Sequence, residues 1–223
     1  MPQTKFEIIY DNDDFLAVNK PANCSFHNQE DQLGVHSLLK KQLNTDIWPV
    51  HRLDKLTSGI LLFAKSRQAA KRLGQLFEQK EIFKTYIALS DKKPKKKQGH
   101  IVGDMQKSRS GSWKLCKTKD NPAKTHFKSQ SLIPKIRLFW VTPSTGKTHQ
   151  IRVALKSIGA PILGDKRYSG SDADRGYLHA CRLVFDWNDK QVDINCPPTF
   201  GEYFLCDEFK ILYADSNSLH QPA

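Results

Sequence analysis

Along the first third of the chain the spacing of apolar residues changes repeatedly, and each change marks an element. Residues 6–10 and 15–18 are short apolar runs joined by Asp11-Asn12-Asp13-Asp14, so a hairpin is predicted, with Asn19-Lys20-Pro21 ending it. Val35, Leu38, Leu39 and Leu43 then fall at helical spacing, and Asn44 is the stop. Ile60-Leu61-Leu62-Phe63-Ala64 is a continuous apolar run that reads as a buried strand. Ser66 stands as an N-cap before a helix whose apolar stripe is Ala69, Ala70, Leu73, Leu76 and Phe77. Lys71, Arg72 and Gln75 take its outer face, and Gly74 weakens the helix without breaking it.

Residues 84–89 give a further strand, and 91–99, with five lysines and a proline, an exposed loop. From 100 to 140 short strands alternate with turn signals at Ser110-Gly111, Lys119-Asp120-Asn121-Pro122 and Ile133-Pro134. Residues 148–157 are expected to form a third helix, with Ile151, Leu155 and Ile158 inward and Gly159 ending it. Strands follow at 178–185 and 191–194, then a closing region at 200–213 of strand and one short helix, and a frayed end from 216 to 223. Strands and helices in irregular order predict an α+β fold: one domain over 1–223 with a mixed, mostly antiparallel central sheet flanked by helices and loops.

The 223 residues, 39% of them hydrophobic, can supply a core. The first residues form no signal-like apolar run, and no window approaches the roughly 20 apolar residues of a membrane span. A cytoplasmic protein with no membrane partner is expected. Cys24, Cys116, Cys181, Cys196 and Cys206 are odd in number and scattered, which points to reduced thiols rather than a disulfide framework or a metal site.

Charge adds a partner. The formal net charge is +12, and residues 92–128 hold twelve Lys/Arg against Asp104 and Asp120 alone. Such a segment suits a polyanion, because neutralising phosphates releases condensed counterions. A solvated lysine-rich surface is the plainer alternative, but Trp113, His126 and Phe127 are interleaved with the charges, as on nucleic-acid-binding surfaces. The basic region, about 91–128 and including Lys95, Lys96 and Lys97, is therefore assigned to nucleic-acid binding.

The chemistry concentrates at His51-Arg52-Leu53-Asp54-Lys55-Leu56-Thr57-Ser58-Gly59, a polar loop directly ahead of the buried run 60–64. Taken alone, Asp54 is equally suited to an Asx-type turn leading into a strand. Tyr86 could likewise be a half-buried core aromatic, and His149 and Gln150 capping or lattice-forming groups. Thr148, Arg152 and Lys156 share one helix flank at i, i+4 spacing, which would place Arg152 at the rim of a cleft.

Three stretches together resemble one family. His-Arg-Leu-Asp followed by Thr-Ser-Gly, then Lys84-Thr85-Tyr86, then Gly146-Lys147-Thr148-His149-Gln150-Ile151-Arg152 are similar, in order, to the three motifs of the RluA-type pseudouridine synthases. The likeness extends to the opening hairpin, to Gly159-Ala160-Pro161-Ile162-Leu163-Gly164-Asp165 and to Leu178-His179-Ala180. It implies the pseudouridine synthase fold, as a catalytic domain without the S4 RNA-binding domain some relatives carry. It implies Asp54 as the catalytic carboxylate, Tyr86 packed on the target base, Arg152 paired with Asp54, and Arg52 filling the gap left by a flipped nucleotide. His51, Thr57, Ser58, Lys147, His149 and Gln150 would line the substrate. Asn23-Cys24, Leu56, Lys147 and Ala154 depart from the family pattern at positions that flank the RNA path.

Pseudouridine formation breaks the uracil N1 to ribose C1′ bond and rejoins the base through C5, an isomerisation that needs no redox or energy cofactor. The chain has no Gly-x-Gly-x-x-Gly and no Walker sequence, so no cofactor is expected. A carboxylate beside C1′ can attack it or steady an oxocarbenium-like sugar, or it can remove the 2′ proton to give a glycal. The expected partner is ribosomal or transfer RNA presenting a stem-loop, where flipping a uridine is least costly, acted on by a monomer. The competing class is a non-catalytic RNA-binding or RNA-chaperone protein of the same fold.

Overall fold

A computed structural model of the chain describes residues 5–28 and 32–217. In chain order these form β1 (Glu7–Asp11), β2 (Phe15–Lys20), α1 (Val35–Leu43), β3 (Trp48–Pro49), β4 (Ser58–Ala64), α2 (Arg67–Gln79) and β5 (Phe83–Ser90). There follow β6 (Gln98–Gly103), β7 (Met105–Lys107), β8 (Trp113–Leu115), β9 (Ala123–Ile133), β10 (Ile136–Pro143) and α3 (Gln150–Ser157). The chain closes with β11 (Leu178–Trp187), β12 (Lys190–Asn195), α4 (Glu202–Leu205) and α5 (Asp207–Asn217). Two compact units result: the first runs to Ile82 and resumes at Ala180–Pro197, and the second holds Phe83–His179 and the chain from Pro198 onward.

In the first unit the strand order is β1-β2-β4-β11, with β12 on β11 and β3 on β4. The β1–β2 turn forms because Asn12 Oδ1 accepts the backbone N–H groups of Asp14 at 2.9 Å and Phe15 at 2.8 Å. Trp187 Nε1 donates to Asp14 at 2.8 Å and pins that turn. Ser66 caps α2 as expected, its hydroxyl accepting the Ala69 N–H at 3.1 Å, and Lys80 closes the helix in the left-handed region. Ala69 and Leu73 are buried, and Ala70, Leu76 and Phe77 pack on the cluster of Phe15, Ile60, Leu62, Leu183 and Phe185. Each such aliphatic or aromatic side chain contributes about 1.5–3 kcal/mol when fully buried. All seven residues of β4 are buried. Gly59, at φ +103°, lies so close to β11 that a Cβ there would stand 2.2 Å from the Ala180 carbonyl oxygen.

In the second unit the order is β5-β10-β9-β6, all antiparallel. Along β9 Ala123, Thr125, Phe127 and Ser129 are buried while Lys124, His126 and Lys128 are exposed, the alternation of a sheet with one solvated face. Val141 of β10 pairs with Tyr86 on one side and Phe127 on the other, so these three side chains share a face. Gln150 of α3 bonds Thr125 Oγ1 at 3.0 Å on that same face. The opposite face carries Trp140, stacked on Tyr213 of α5 at 5.7 Å. β7 and β8 form a separate two-stranded ribbon.

Two expectations shift. Residues 200–213 form α4 and the greater part of α5, with no strand, and α5 continues to Asn217; the rest of the supposed frayed end lies outside the described residues. The third helix begins at Gln150 rather than Thr148, because His149 sits at φ 58°, a left-handed geometry an α-helix excludes.

Candidate active site

The residues expected to carry chemistry divide between the units: His51, Arg52, Asp54, Thr57 and Ser58 in the first, Tyr86, Lys95, Lys96, Lys97, Lys147, His149, Gln150 and Arg152 in the second. Asp54 is half-buried on a tight turn closed by the Thr57 N–H donating to the Asp54 carbonyl at 3.1 Å. A buried cation holds the turn from beneath. Lys20 is 0% exposed, and its ammonium donates to the carbonyls of Pro21 at 2.9 Å, Cys24 at 3.0 Å and Lys55 at 3.4 Å. Burial in turn pushes the Cys24 thiol up, against the pull of Lys20 and Lys55.

The loop's other members are put to unequal use. Arg52 is exposed, with Nη1 3.3 Å from His27 Nε2. His51 is engaged in packing: its Nε2 accepts the Leu62 N–H at 2.9 Å, and its ring stacks on Phe77 at 4.7 Å. Thr57 and Ser58, expected to line the substrate, are each only 3% exposed at the foot of β4. Their burial makes them part of the footing of the turn.

In the second unit Tyr86 is half-buried on β5 and faces the side of the sheet that α3 covers. Two residues earlier, burial lowers the pKa of Lys84 from the ordinary lysine value. The spacing placed Arg152 at the rim of a cleft, and the side chain there is largely buried. It is 6% exposed, because every residue from Gln150 to Leu155 is buried. Its Nε donates to Asp165 Oδ2 at 2.7 Å and its Nη2 to Oδ1 at 2.8 Å, a two-bonded fork against a carboxylate that is 1% exposed.

The Tyr168 ring lies 4.9 Å from the Arg152 guanidinium carbon. Its hydroxyl accepts the Trp113 N–H at 2.9 Å and lies 2.8 Å from His149 Nδ1. Gln150 is a lattice group. Its amide donates to the Lys124 carbonyl and to Thr125 Oγ1, both at 3.0 Å, and its oxygen accepts from Thr145 Oγ1 at 2.7 Å and the Lys147 N–H at 3.0 Å. Lys147 itself is half-buried on the loop that Gln150 orders. Asp165 and Tyr168 were missed by sequence reasoning. Their one signal was the place of Asp165 directly after Gly164 in the turn beyond α3, where φ is +81° and a Cβ would stand 1.9 Å from the Arg175 carbonyl oxygen.

The basic surface is continuous with this unit. Lys95, Lys96 and Lys97 are exposed, as are Lys107, Arg109 and Lys114 of the ribbon. On the solvated face of β6 and β9, His100 and His126 approach to 4.8 Å in the same row as Lys124 and Lys128.

Residues 14–157 match the family model described as RNA pseudouridylate synthase. A Haemophilus influenzae protein described as an uncharacterized RNA pseudouridine synthase is 48% identical over 204 residues, covering 90% of this chain and 91% of that one. The ribosomal large subunit pseudouridine synthase C of Rickettsia bellii is 35% identical over 88% of this chain and 69% of its own. The tRNA pseudouridine synthase C of Pasteurella multocida is 30% identical over 96% and 99%. Among solved structures, human RNA pseudouridylate synthase domain containing 1 shares the fold at a TM-score of 0.77 and 22% identity, over 98% of this chain and 97% of that one. No helix among the described residues is long and apolar enough to cross a membrane. The motif order read from the sequence and the likeness over nearly the whole length agree, and they decide against the non-catalytic alternative: the chain belongs to the RNA pseudouridylate synthase family and is an isomerase acting on RNA.

Proposed function

We propose that Asp54 is the carboxylate that acts at the ribose of a target uridine, in ribosomal or transfer RNA presented as a stem-loop. The observation that carries this reading is the footing of Asp54: a half-buried carboxylate on a turn anchored by the fully buried Lys20 and backed by Thr57 and Ser58. A rigidly held carboxylate suits a reaction in which the distance to one sugar carbon decides the rate. The C1′–N1 bond breaks, the base turns, C1′–C5 forms, the C5 proton leaves and N1 takes up a proton, so the product is an isomer and atoms balance without a cofactor.

Tyr86 is assigned to stacking on the uracil, Arg152 to the catalytic machinery, and Arg52, an exposed cation two residues before Asp54 in sequence, to occupying the space of the flipped nucleotide. Lys95, Lys96 and Lys97 hold the RNA backbone, with Lys147 and His149 nearer the reacting base. The substrate class follows the relatives, two of which are named for ribosomal and transfer RNA. All 223 residues serve as one catalytic domain, in a monomer of the cytoplasm.

Asp54→Asn keeps the shape of the side chain and removes its charge. The variant is expected to bind RNA as the unaltered protein does and to release no tritium from RNA labelled at uridine C5. Normal turnover by this variant would remove Asp54 from the chemistry.

A further inference from the structure

Arg152 is held from two sides by residues separated by one short turn. Asp165 takes the Nε and Nη2 edge of the guanidinium, and Tyr168 lies against it as a ring. Between them the backbone makes a single 3-10 turn, Lys166–Tyr168, in which the Tyr168 N–H donates to the Asp165 carbonyl at 3.0 Å and the Gly170 N–H to the same oxygen at 2.9 Å. Carboxylate and ring therefore move as one body. That body also grips the basic ribbon: Tyr168 Oη receives the Trp113 N–H, and Arg167 Nη1 donates to the Ser110 carbonyl at the ribbon tip at 3.0 Å. The ribbon side chains Lys107, Arg109 and Lys114 are exposed.

We propose that Asp165 and Tyr168 are positioning residues for Arg152, and that Tyr168 couples the seating of RNA on the β7–β8 ribbon to the orientation of that guanidinium. The proposal rests on the role assigned above to Arg152. A buried ion pair is a weak device for stability, since burying two charges offsets much of their attraction. A two-bonded fork instead fixes direction, because the guanidinium plane follows the carboxylate plane. Tyr168 adds the link that stability alone does not call for: one hydroxyl joins the ribbon backbone to His149, at the N-terminus of the helix that carries Arg152. RNA phosphates drawn to the ribbon cations would load this hydroxyl directly.

The test is single-turnover tritium release at saturating RNA, with ribosomal and transfer RNA transcripts labelled at uridine C5, beside a separate measurement of RNA binding. Asp165→Asn keeps the shape and removes the charge. Its rate is expected to fall about 10²-fold, the scale of an ångström-level misplacement, with binding unchanged. Tyr168→Phe keeps the ring and removes the hydroxyl. In the unaltered protein, changing Lys107, Arg109 and Lys114 to Ala should lower both binding and the saturated rate; in the Tyr168→Phe background it should lower binding alone, a non-additivity that a merely structural tyrosine would not produce.

A wild-type rate for Asp165→Asn, or additive effects in that cycle, would overturn the proposal. Arg152→Ala separates the two levels. If it turns over normally, the reading of Arg152 fails; if it is inactive while Asp165→Asn and Tyr168→Phe are both normal, the clamp alone fails. Should Asp165→Asn not fold by circular dichroism, the Tyr168→Phe cycle decides by itself.

Discussion

Gly59, the second residue of β4, serves geometry, whereas Asp54, five residues earlier, is the residue proposed for the chemistry. At φ +103° and with the Ala180 carbonyl 2.2 Å from where a Cβ would stand, no side chain fits without moving β4 or β11. Gly59→Ala is expected to destabilise the protein by more than about 1 kcal/mol, read as a lower urea midpoint, because left-handed backbone strain and a backbone clash add. An unchanged midpoint would show that the strands can separate at no cost. The candidate site was legible at this scale where a residue acts locally. Asp54, Tyr86, Arg52 and Arg152 were each proposed from motifs a few residues long. What escaped was tertiary: Lys20 reaches the Lys55 carbonyl across 35 positions, and Asp165 reaches Arg152 across 13. No local spacing encodes such pairs.

Among the elements, those whose burial follows a single period were readable. α2 announced itself through Ser66 and the stripe from Ala69 to Phe77, and the cap bond is present at 3.1 Å. Ser66→Ala should lower stability by about 1 kcal/mol, since the Ala69 N–H loses its acceptor at the helix start. The expected signature is a lower urea midpoint at an unchanged denaturant slope; no shift would mean water replaces the hydroxyl without loss. α5 was obscured because its apolar residues do not all face inward: Phe209 and Tyr213 are buried, but Ile211 is 61% exposed. That breaks the 3.6-residue stripe from which a helix is read. α3 was displaced at its start for a different reason, the left-handed His149, which its residue type does not signal.

At the scale of the whole molecule, charge is the organising quantity. The segment 92–128 carries ten of the twelve net positive charges and falls within one unit. Concentrating charge on one side of a chain steers a polyanion to that side before any base is read. The lysine loop is built to present charge without depending on it for shape. Its backbone is tied down, with the Lys95 N–H donating to the Ile158 carbonyl at 3.3 Å and the Lys97 carbonyl accepting from Ser129 N–H at 2.6 Å and Ser129 Oγ at 2.9 Å. The three side chains Lys95, Lys96 and Lys97 remain exposed. Changing all three to Ala should therefore leave the fold intact and weaken RNA binding. Each lost single-strand phosphate contact removes about 0.7 from the slope of log affinity against log salt, so three contacts flatten it by about 2. Titrations of labelled RNA over a range of salt concentrations measure that slope directly. An unchanged slope with a folded variant would take the loop out of the RNA path and leave the ribbon and the His100–His126 face of β6 and β9 to hold the substrate.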